Sequence, residues 1–560
     1  MSITAIDVQL LRNMFLCGAQ NLESNKAWIN ELNVFPVPDG DTGTNMGMTV
    51  VSAVREVLDV EDAGDMKKVC KAISSGSLRG ARGNSGVILS QLLRGFCKIV
   101  RDSREIDTAL CADAFDKAVE TAYKAVMKPK EGTILTVAKG AAEKARELVG
   151  AGVTDFDEFI PGVVAYAEEV LSKTPEMLPV LKQAGVVDSG GQGLVQLLKG
   201  AYEGYQGAEF DEDALLNPEK ETQAPKEEES FADLRYGYVV TFYEIFTKPY
   251  NDKIDRDVSA YMKTIADQIV AVRTDESMHV QLHTNDPGLV LQKALLYGQL
   301  KDISIANLRC GEKFEELRAE EKENAAPSAE PEEAPAEEQP KKDIGMIAVC
   351  AGDGLAEIFR GLGVDYVISG GQTMNPSTED ILNAVEKVNA DTVFILPNNK
   401  NIILASNQAA AISEDKKLVV IPTKTVPQGI TAAINFIPDQ DAELNEKTMT
   451  EEIAKVKSAE VTYAVRDTVI DDIEIHEGNI MAIGDSGILG VGTERIATTL
   501  EALSRMVEDG TELISIYYGA DATEEEAEAL RAAAAEKYPG IDIELQPGGQ
   551  PVYYYIVSAE

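Results

Sequence analysis

The sequence predicts a multidomain α and α/β protein, in which an all-α domain is followed by two α/β domains. At 560 residues the chain is longer than a single hydrophobic core usually grows, which is about 250–300 residues. Apolar residues recur at helical spacing through residues 1–205, whereas short apolar runs alternate with helix-length stretches through residues 343–560. Two acidic, proline-containing stretches, 206–230 and 318–342, have almost no apolar period and are predicted to be linkers. They enclose a small α/β domain at residues 231–317.

The first domain is predicted to be all-α because alternation of β-branched residues is nearly absent from it. One apolar stripe begins at Ile134 and returns at Val137, Ala138 and Ala141, which is the spacing of one helix face. Further stripes run through residues 87–96 and 156–171.

The two α/β domains are predicted from runs of alternating or continuous apolar residues. In the middle domain, strands are expected at residues 236–246 and 279–283, and helices at 257–270 and 288–297. In the last domain, the apolar runs that predict a mostly parallel sheet are 347–349, 366–368, 393–396 and 418–421. Ligands of such sheets favour the loops at strand carboxyl ends, and these loops begin at Gly352, Gly370 and Pro397.

The end of the chain is predicted to form a strand, an acidic helix over residues 524–537 and a final strand over 552–557. For the tyrosines of that final strand we expect alternating burial on an edge strand, and an exposed partner surface is the alternative.

The composition of the chain excludes several classes of function. The chain has 52 Lys and Arg against 94 Asp and Glu, a formal net charge of −42, so nucleic acid phosphates and anionic membranes should repel it. The six cysteines form no CxxC pair, which is typical of reduced cytosolic thiols rather than a disulfide framework. No apolar run approaches the ~20 residues that span a bilayer. We therefore expect a cytoplasmic protein that binds no nucleic acid.

The most informative stretch is residues 32–47, in which Asp39 and Asp41 are separated by Gly40. Pro36 and Pro38 hold the approach extended, and in an extended chain residues i and i+2 point to the same side. Two neighbouring carboxylates repel each other unless a cation or a proton lies between them. Such hard oxygen ligands beside a turn rich in glycine and hydroxyls suit Mg²⁺ carrying a polyphosphate. The alternative is a surface turn that caps the helix beginning near Asn45.

Two further glycine clusters, at residues 80–86 and 187–193, directly precede apolar helical stripes. A helix N-terminus presents unpaired N–H groups and partial positive charge, which suit phosphate oxygens. An ordinary N-cap and turn would explain Asn84 and Ser85 as well. The absence of GxxxxGK[ST] from the chain excludes a Walker-type phosphate loop.

These three motifs, in this order, resemble those of the nucleotide-binding subunit of dihydroxyacetone kinases, and still more closely those of the catalytic subunit of bacterial fatty acid kinase. The resemblance implies an up-and-down barrel of helices that binds ATP and Mg²⁺. It also implies that Asp39 and Asp41 are catalytic and hold the metal, with Asn33 as a further ligand. The nucleotide-binding residues that it implies are Thr42, Gly43, Thr44, Asn45, Met46, Asn84, Ser85, Gly86, Thr133, Ile134, Asp188, Ser189 and Gly190.

The last domain resembles the DegV-like lipid-binding fold and its dihydroxyacetone-binding relatives. Dihydroxyacetone kinases hold their substrate covalently through a histidine. The only histidine of this domain, His476, lacks the surrounding motif. This difference disfavours dihydroxyacetone as the substrate.

The middle domain departs from its family at a set of residues that looks like a metal site. Val239 stands where relatives usually carry Cys and Gln281 where they carry His, so that only His283 remains. Because structural zinc needs three or four such ligands, we predict that this domain binds no structural zinc. Metal analysis of the chelator-washed protein checks this, and near-stoichiometric zinc would contradict it. A site shifted to His279 and a turn-capping role for His283 are the alternatives.

The resemblance implies an ATP-dependent kinase that phosphorylates a fatty acid carboxylate, presented by a separate fatty-acid-binding partner protein, to give acyl phosphate. A carboxylic acid with a pKa of roughly 4–5 is already ionised at neutral pH. It therefore needs no general base, whereas an alcohol acceptor more often does. The alternatives are a dihydroxyacetone (glycerone) kinase-type phosphotransferase and a lipid-binding scaffold with a regulatory nucleotide site. The resemblance also allows a homodimer.

Overall fold

The computed structural model describes residues 3–33, 40–60, 62, 64–126, 128–216, 238–246, 258, 261–263, 265–273, 277–285, 287–295, 297–307, 341–371, 375–464, 468–470, 473–484 and 487–560. The chain divides into two compact units. One comprises Met1–Pro218 together with Gln339–Glu560, and the other comprises Glu219–Glu338. No helix within the described ranges has both the length and the apolar character that crossing a bilayer requires.

The first domain is all-α, as predicted, and its longer helices form a closed ring. Its helices are α1 (Val8–Ser24), α2 (Lys26–Glu31), α3 (Thr42–Leu58), α4 (Met66–Arg79), α5 (Gly83–Val100), α6 (Thr108–Ala125), α7 (Ile134–Gly150), α8 (Phe156–Ser172), α9 (Thr174–Met177), α10 (Pro179–Ala184), α11 (Ser189–Tyr205) and α12 (Glu212–Leu216). Around the ring, α1 contacts α3, α3 contacts α5, α5 contacts α6, α6 contacts α7, α7 contacts α11, and α11 returns to α1. This closed arrangement confirms the expected helical barrel. Its interior is formed by the apolar stripes, including Leu22, Val50, Leu89, Val137 and Phe159, and it contains an apolar cavity of about 180 Å³.

The unit Glu219–Glu338 contains a four-stranded antiparallel sheet in the order β2-β3-β1-β4. Its elements are β1 (Tyr238–Phe246), β2 (Ala266–Arg273), β3 (Ser277–Thr284), α13 (Pro287–Ala294) and β4 (Gly298–Asn307). The predicted helix over 257–270 is wrong in its second half, because β2 begins at Ala266. Ile269, Val270 and Val272 are β-branched and favour a strand, while the helical spacing of the preceding residues extends across the boundary and conceals it.

The last domain begins with a parallel sheet in the order β6-β5-β7-β8, as predicted. Its elements are β5 (Lys342–Cys350), α14 (Asp353–Gly361), β6 (Tyr366–Ser369), α15 (Thr378–Lys387), β7 (Ala390–Leu396), α16 (Ile403–Ile412), β8 (Lys417–Val420), α17 (Val426–Ile434) and α18 (Ala442–Ile453). The continuous apolar runs are buried on both faces, which is typical of a parallel strand covered by helices on each side.

The rest of the domain forms a second sheet. Two expectations for its final strand, a position at the edge and alternating burial, are wrong. Its elements are β9 (Lys457–Tyr463), the small hairpin β10 (Thr468–Ile470) and β11 (Ile473–Ile475), β12 (Ile480–Gly484), β13 (Gly487–Gly492), α19 (Arg495–Met506), β14 (Leu513–Tyr518), α20 (Glu524–Lys537), β15 (Asp542–Pro547) and β16 (Tyr555–Ala559). The six-stranded order is β13-β12-β9-β16-β14-β15, and only the pair β14 and β15 is parallel.

The final strand is central rather than an edge strand, since β16 lies between β9 and β14. Every residue of β16 is buried, and Tyr555 is fully so. The tyrosine run marks this strand's start because aromatic rings pack well between sheet and helix. The predicted alternation of burial therefore does not occur.

Candidate functional site

One cavity of about 260 Å³ gathers most of the predicted site residues. It is lined by Asn33, Asp41, Thr42, Asn45, Asn84, Ser85, Ile88, Val126, Lys128, Lys130, Thr133, Ile134, Leu135, Asp188, Ser189, Gly190, Asn401 and Leu404. Four helices of the ring, α3, α5, α7 and α11, begin at this cavity. Four positive helix ends therefore converge on one space, which favours an anion there.

The starts of α3 and α5 differ from those of four other helices of the domain, α1, α4, α6 and α8. Helices α1, α4, α6 and α8 each begin after an aspartate whose carboxylate accepts a backbone N–H of the first turn. Neither Asp41 before α3 nor Arg82 before α5 makes such a bond. In the first turn of α3 the N–H of Thr44 donates to Asn30 Oδ1. Within the described residues, the N–H groups of Thr42 and Gly43, and those of the first turn of α5, remain available to a ligand.

Asp41 is one of two buried carboxylates of the cavity, the other being Asp188, and 9% of its surface is exposed. Its backbone carbonyl accepts the N–H of Asn45 at 2.8 Å, which sets the first turn of α3. Its side-chain Oδ2 does not cap the helix but accepts a hydrogen bond from Asn375 Nδ2 at 2.6 Å. The Asp41 carboxylate thus does not cap α3, although it lies at the start of that helix. This placement suits a carboxylate that binds a cation against a phosphate.

The predicted metal set is only partly within the described structure. Asp39 falls in residues 34–39, which lie outside it, so the pairing of Asp39 with Asp41 stays a prediction. Asn33 is 3% exposed and lines the same cavity as Asp41. An amide oxygen and a carboxylate oxygen on one wall are both hard ligands, and this donor set fits Mg²⁺.

Asp188 closes the far end of the cavity by covering two of the four helix starts. Its carboxylate accepts the N–H of Gly191 in α11 at 2.7 Å and also the N–H of Ile134 in α7. Its own N–H donates to Thr174 Oγ1 at 3.1 Å. Burial raises the pKa of Asp188 to about 7, although the two N–H donors act in the opposite direction. The carboxyl group thus carries only part of a negative charge at neutral pH.

This raised pKa predicts a pH dependence of stability that Asp188→Asn removes. The folded state binds a proton at Asp188 between pH values of about 4 and 7, where the unfolded state has lost it. Relative to the variant, the wild-type free energy of unfolding should therefore fall as the pH rises through this window, by a few kcal/mol in all (about 1.4 kcal/mol per pKa unit). Urea unfolding of both proteins at matched pH values measures it. A difference that is flat or rises with pH would contradict the prediction.

The remaining predicted nucleotide residues divide into two groups. Thr42, Asn45, Asn84, Ser85, Thr133, Ile134, Asp188, Ser189 and Gly190 line the cavity. Gly43, Thr44, Met46 and Gly86 do not line it.

Packing accounts for three residues of the second group. Thr44 is turned towards α2, since its N–H donates to Asn30 Oδ1 at 3.1 Å and its hydroxyl accepts from Asn30 Nδ2 at 2.9 Å. Met46 is fully buried in the core. Gly86 faces α3, where an added Cβ would lie 2.3 Å from Thr49 Oγ1. Their predicted contact with a nucleotide stays a prediction.

Seven lining residues were missed by sequence reasoning, and three of them are the apolar side chains Ile88, Val126 and Leu135. Lys128 and Lys130 are exposed at the rim, and they are the cations that the cavity itself offers to a phosphate. Both lysines directly precede the turn at Gly132 in the sequence, and this position could have indicated them as site residues. Asn401 and Leu404 come from the last domain, and only the tendency of strand-end loops to bind ligands pointed towards them.

In the middle unit, the positions that resemble a metal site lie on the neighbouring strands β1 and β3. Val239 is the cross-strand partner of His283, and Thr241 is the partner of Gln281, which lies two residues before His283 in β3. The side chains of Val239, Gln281 and His279 lie outside the described structure, so the absence of zinc stays a prediction. Elsewhere, in the portions of the chain that are described, no three His, Cys, Asp or Glu side chains are grouped so that they could hold a metal ion.

Fold and cavity together define the class of protein: an all-α domain with helix starts and buried carboxylates around one cavity, followed in the chain by two α/β domains. Family models agree with this class along the chain. The DAK2 domain matches residues 36–203, the middle domain of the FakA-like fatty acid kinase proteins matches 235–313, and their C-terminal domain matches 345–560. Protein YloV of Bacillus subtilis (strain 168) is 44% identical over 570 residues, covering 100% of both chains. The chain therefore belongs to the FakA-like family of fatty acid kinase proteins.

Two solved structures match single parts of the chain. The dihydroxyacetone kinase from C. freundii in complex with AMP-PNP and Mg²⁺ is 16% identical with a TM-score of 0.27, covering 35% of this chain and 34% of that one. The Streptococcus pneumoniae Fatty Acid Kinase (Fak) B3 protein loaded with linoleic acid is 14% identical with a TM-score of 0.27, covering 39% of this chain and 99% of that one.

Proposed function

We propose that this protein is an ATP-dependent kinase that phosphorylates the carboxylate of a fatty acid, which a separate fatty-acid-binding protein presents to it, to give acyl phosphate. One observation carries the proposal: the starts of α3 and α5, whose N-cap residues make no side-chain capping bond, meet the buried carboxylate of Asp41 at a single cavity. Family membership supplies the fatty acid as the substrate class. The FakA-like family is that of one subunit of fatty acid kinase, which implies that a second subunit exists.

In this proposal Asp41, with Asn33 and Asp39, holds Mg²⁺, and the ion neutralises charge on the transferred phosphoryl group. The N–H groups at the starts of α3 and α5 bind the phosphate oxygens. Lys128 and Lys130 add positive charge at the rim. Phosphoryl transfer depends mostly on positioning and on charge neutralisation, and these residues supply both.

The cavity fits an acceptor that is already ionised. None of its lining residues, as far as the structure describes them, is a histidine. Asp188 has a pKa suited to a base, but its carboxylate is engaged by the N–H groups of Gly191 and Ile134. A fatty acid carboxylate needs no proton removed before it attacks the phosphoryl group, which agrees with this set of residues.

A glycerone-type kinase is the second candidate, because the DAK2 model matches residues 36–203. Reconstitution separates the candidates: the protein is mixed with ATP, Mg²⁺ and a DegV-like binding protein loaded with fatty acid, and the products are read by phosphorus NMR. We expect ADP and acyl phosphate only when the loaded partner is present, and no ADP release with dihydroxyacetone. Release of ADP with dihydroxyacetone alone would favour the second candidate. Nucleotide binding without any turnover would instead indicate a regulatory site on a scaffold.

A further inference from the structure

The first and last domains lie in the same compact unit and meet beside the proposed cation site. Arg82, directly before α5, donates from Nη1 to the backbone carbonyl of Asn375 at 2.8 Å, and its Nη2 lies 3.2 Å from Asp380 Oδ2. Nearby, Asn84 Nδ2 donates to Asn401 Oδ1 at 2.8 Å. These contacts hold Asn375, the first turn of α15 and the loop before α16 against the start of α5.

The side chain of Asn375 reaches Asp41 itself. Asn375 is 3% exposed, and its Nδ2 donates to Asp41 Oδ2 at 2.6 Å across 334 residues of sequence. Hydrogen bonds to an ionised acceptor are shorter and roughly twice as strong as neutral ones. The orientation of the Asp41 carboxylate is therefore set by a residue of the last domain.

The other half of the Asn375 amide has no hydrogen-bond partner among the described residues. Its Oδ1 is buried and makes no hydrogen bond within the described structure. An unsatisfied buried acceptor costs about 1–3 kcal/mol, so an apolar side chain would serve the domain contact better. A buried polar group that is kept at the expense of stability indicates a role in function rather than in folding.

We propose that Asn375 is a positioning residue of the cation site: its amide N–H fixes one oxygen of Asp41, so that the carboxylate is oriented to bind the divalent ion. This inference rests on the proposed function, in which Asp41 holds that ion. Carboxylates that bind metals are commonly hydrogen-bonded by a second residue that orients them. Here the second residue belongs to the DegV-like domain, and the cation site is therefore shared between the two ends of the chain.

Two other roles for Asn375 give different results in one experiment. If Asn375 only stabilises the contact between the first and last domains, removing another hydrogen bond from that contact should weaken cation binding as much. If it binds the cation directly, a carboxylate in its place should bind the cation more tightly. The variants are Asn375→Ala, Asn375→Asp and a matched control, Gln408→Ala. Gln408 donates from Nε2 to the carbonyl of Leu78 at 2.7 Å across the same contact and touches no cavity residue in doing so.

The test measures Mn²⁺ binding to the full chain by electron paramagnetic resonance, with the non-hydrolysable analogue AMP-PNP present. Affinity for AMP-PNP in EDTA is measured alongside. We expect Asn375→Ala to weaken Mn²⁺ binding about 10- to 100-fold, as removal of such orienting residues does, without changing nucleotide affinity in EDTA. Asn375→Asp should also weaken it, because its carboxylate cannot donate to Asp41 and repels it. Gln408→Ala should bind Mn²⁺ as the wild type does.

The inference is overturned if Asn375→Ala binds Mn²⁺ within twofold of the wild type, if Gln408→Ala loses as much affinity, or if Asn375→Asp binds more tightly. Asn375→Asp is nearly isosteric and keeps the test valid if the alanine variant does not fold. A wild type that binds no Mn²⁺ at all with AMP-PNP would instead contradict the proposed function, and the inference would fall with it.

Discussion

Replacing Asp41 with alanine is expected to reduce acyl phosphate formation about a thousandfold or more. A bound metal ion supplies several kcal/mol of charge stabilisation in phosphoryl transfer, and each ~1.4 kcal/mol corresponds to a tenfold change in rate. Asp41 is the buried carboxylate at the uncapped start of α3. The alanine variant therefore lacks the anionic side chain that we expect to bind the cation. The measurement is the turnover of ATP with the fatty-acid-loaded partner.

The matched control is Asp65→Ala, which removes an aspartate from the start of another helix of the same domain. Asp65 caps α4 by accepting the N–H of Lys67 at 2.9 Å, and it does not line the cavity. Its loss should cost about 0.5–2 kcal/mol of stability and leave turnover unchanged. Asp41→Ala should remain folded by circular dichroism. A folded Asp41→Ala protein that keeps more than a tenth of the wild-type turnover would remove Asp41 from the metal role.

Replacing Gly43 with alanine is expected to have the second largest effect, a loss of about a hundredfold in turnover. A Cβ at position 43 would lie 2.1 Å from the backbone carbonyl oxygen of Lys26 in α2. Because a backbone atom cannot rotate away, the start of α3 must move, and Asp41 and Thr42 move with it. Displacements of about 1 Å in a reacting site can cost a hundredfold in rate. Steady-state kinetics of the variant with loaded partner provides the measurement.

Gly150→Ala is the matched control for that substitution. Gly150 is the last residue of α7, and an added Cβ there would meet no atom within 4 Å. Since alanine favours the helix by up to about 1 kcal/mol over glycine, this variant should be as stable as the wild type or more so, with normal turnover. Equal losses in both variants would show that the close contact with α2 is not the cause.

Much of the candidate site could be predicted from the sequence, because each motif combines a local signal with a helix start. The turn after Pro38 and the cluster before Ser85 each precede an apolar helical stripe. Because successive helices of an up-and-down barrel run in opposite directions, every second helix begins at the same rim. Their convergence on one cavity follows from that geometry. What the motifs do not reveal is which residues face the cavity. Met46 lies in a motif but is buried in the core.

Other features depended on contacts that are distant in the sequence and so could not be predicted. The hydrogen bond between Asn375 and Asp41 joins residues of the last and first domains, and no periodicity within either part indicates it. The position of β16 inside its sheet is of the same kind, because strand order depends on pairing with β9 and β14. The start of β2 was missed for another reason. The helical spacing of apolar residues before Ala266 continues into the strand, so the sequence shows no change of period there.

A crystal structure of the full chain with AMP-PNP and Mg²⁺ would show directly whether a nucleotide and a cation bind at this cavity. We expect density for a triphosphate at the starts of α3 and α5, with a cation bound to Asp41. Nucleotide density elsewhere on the chain, or an ordered Asp41 with neither cation nor phosphate beside it, would contradict the account.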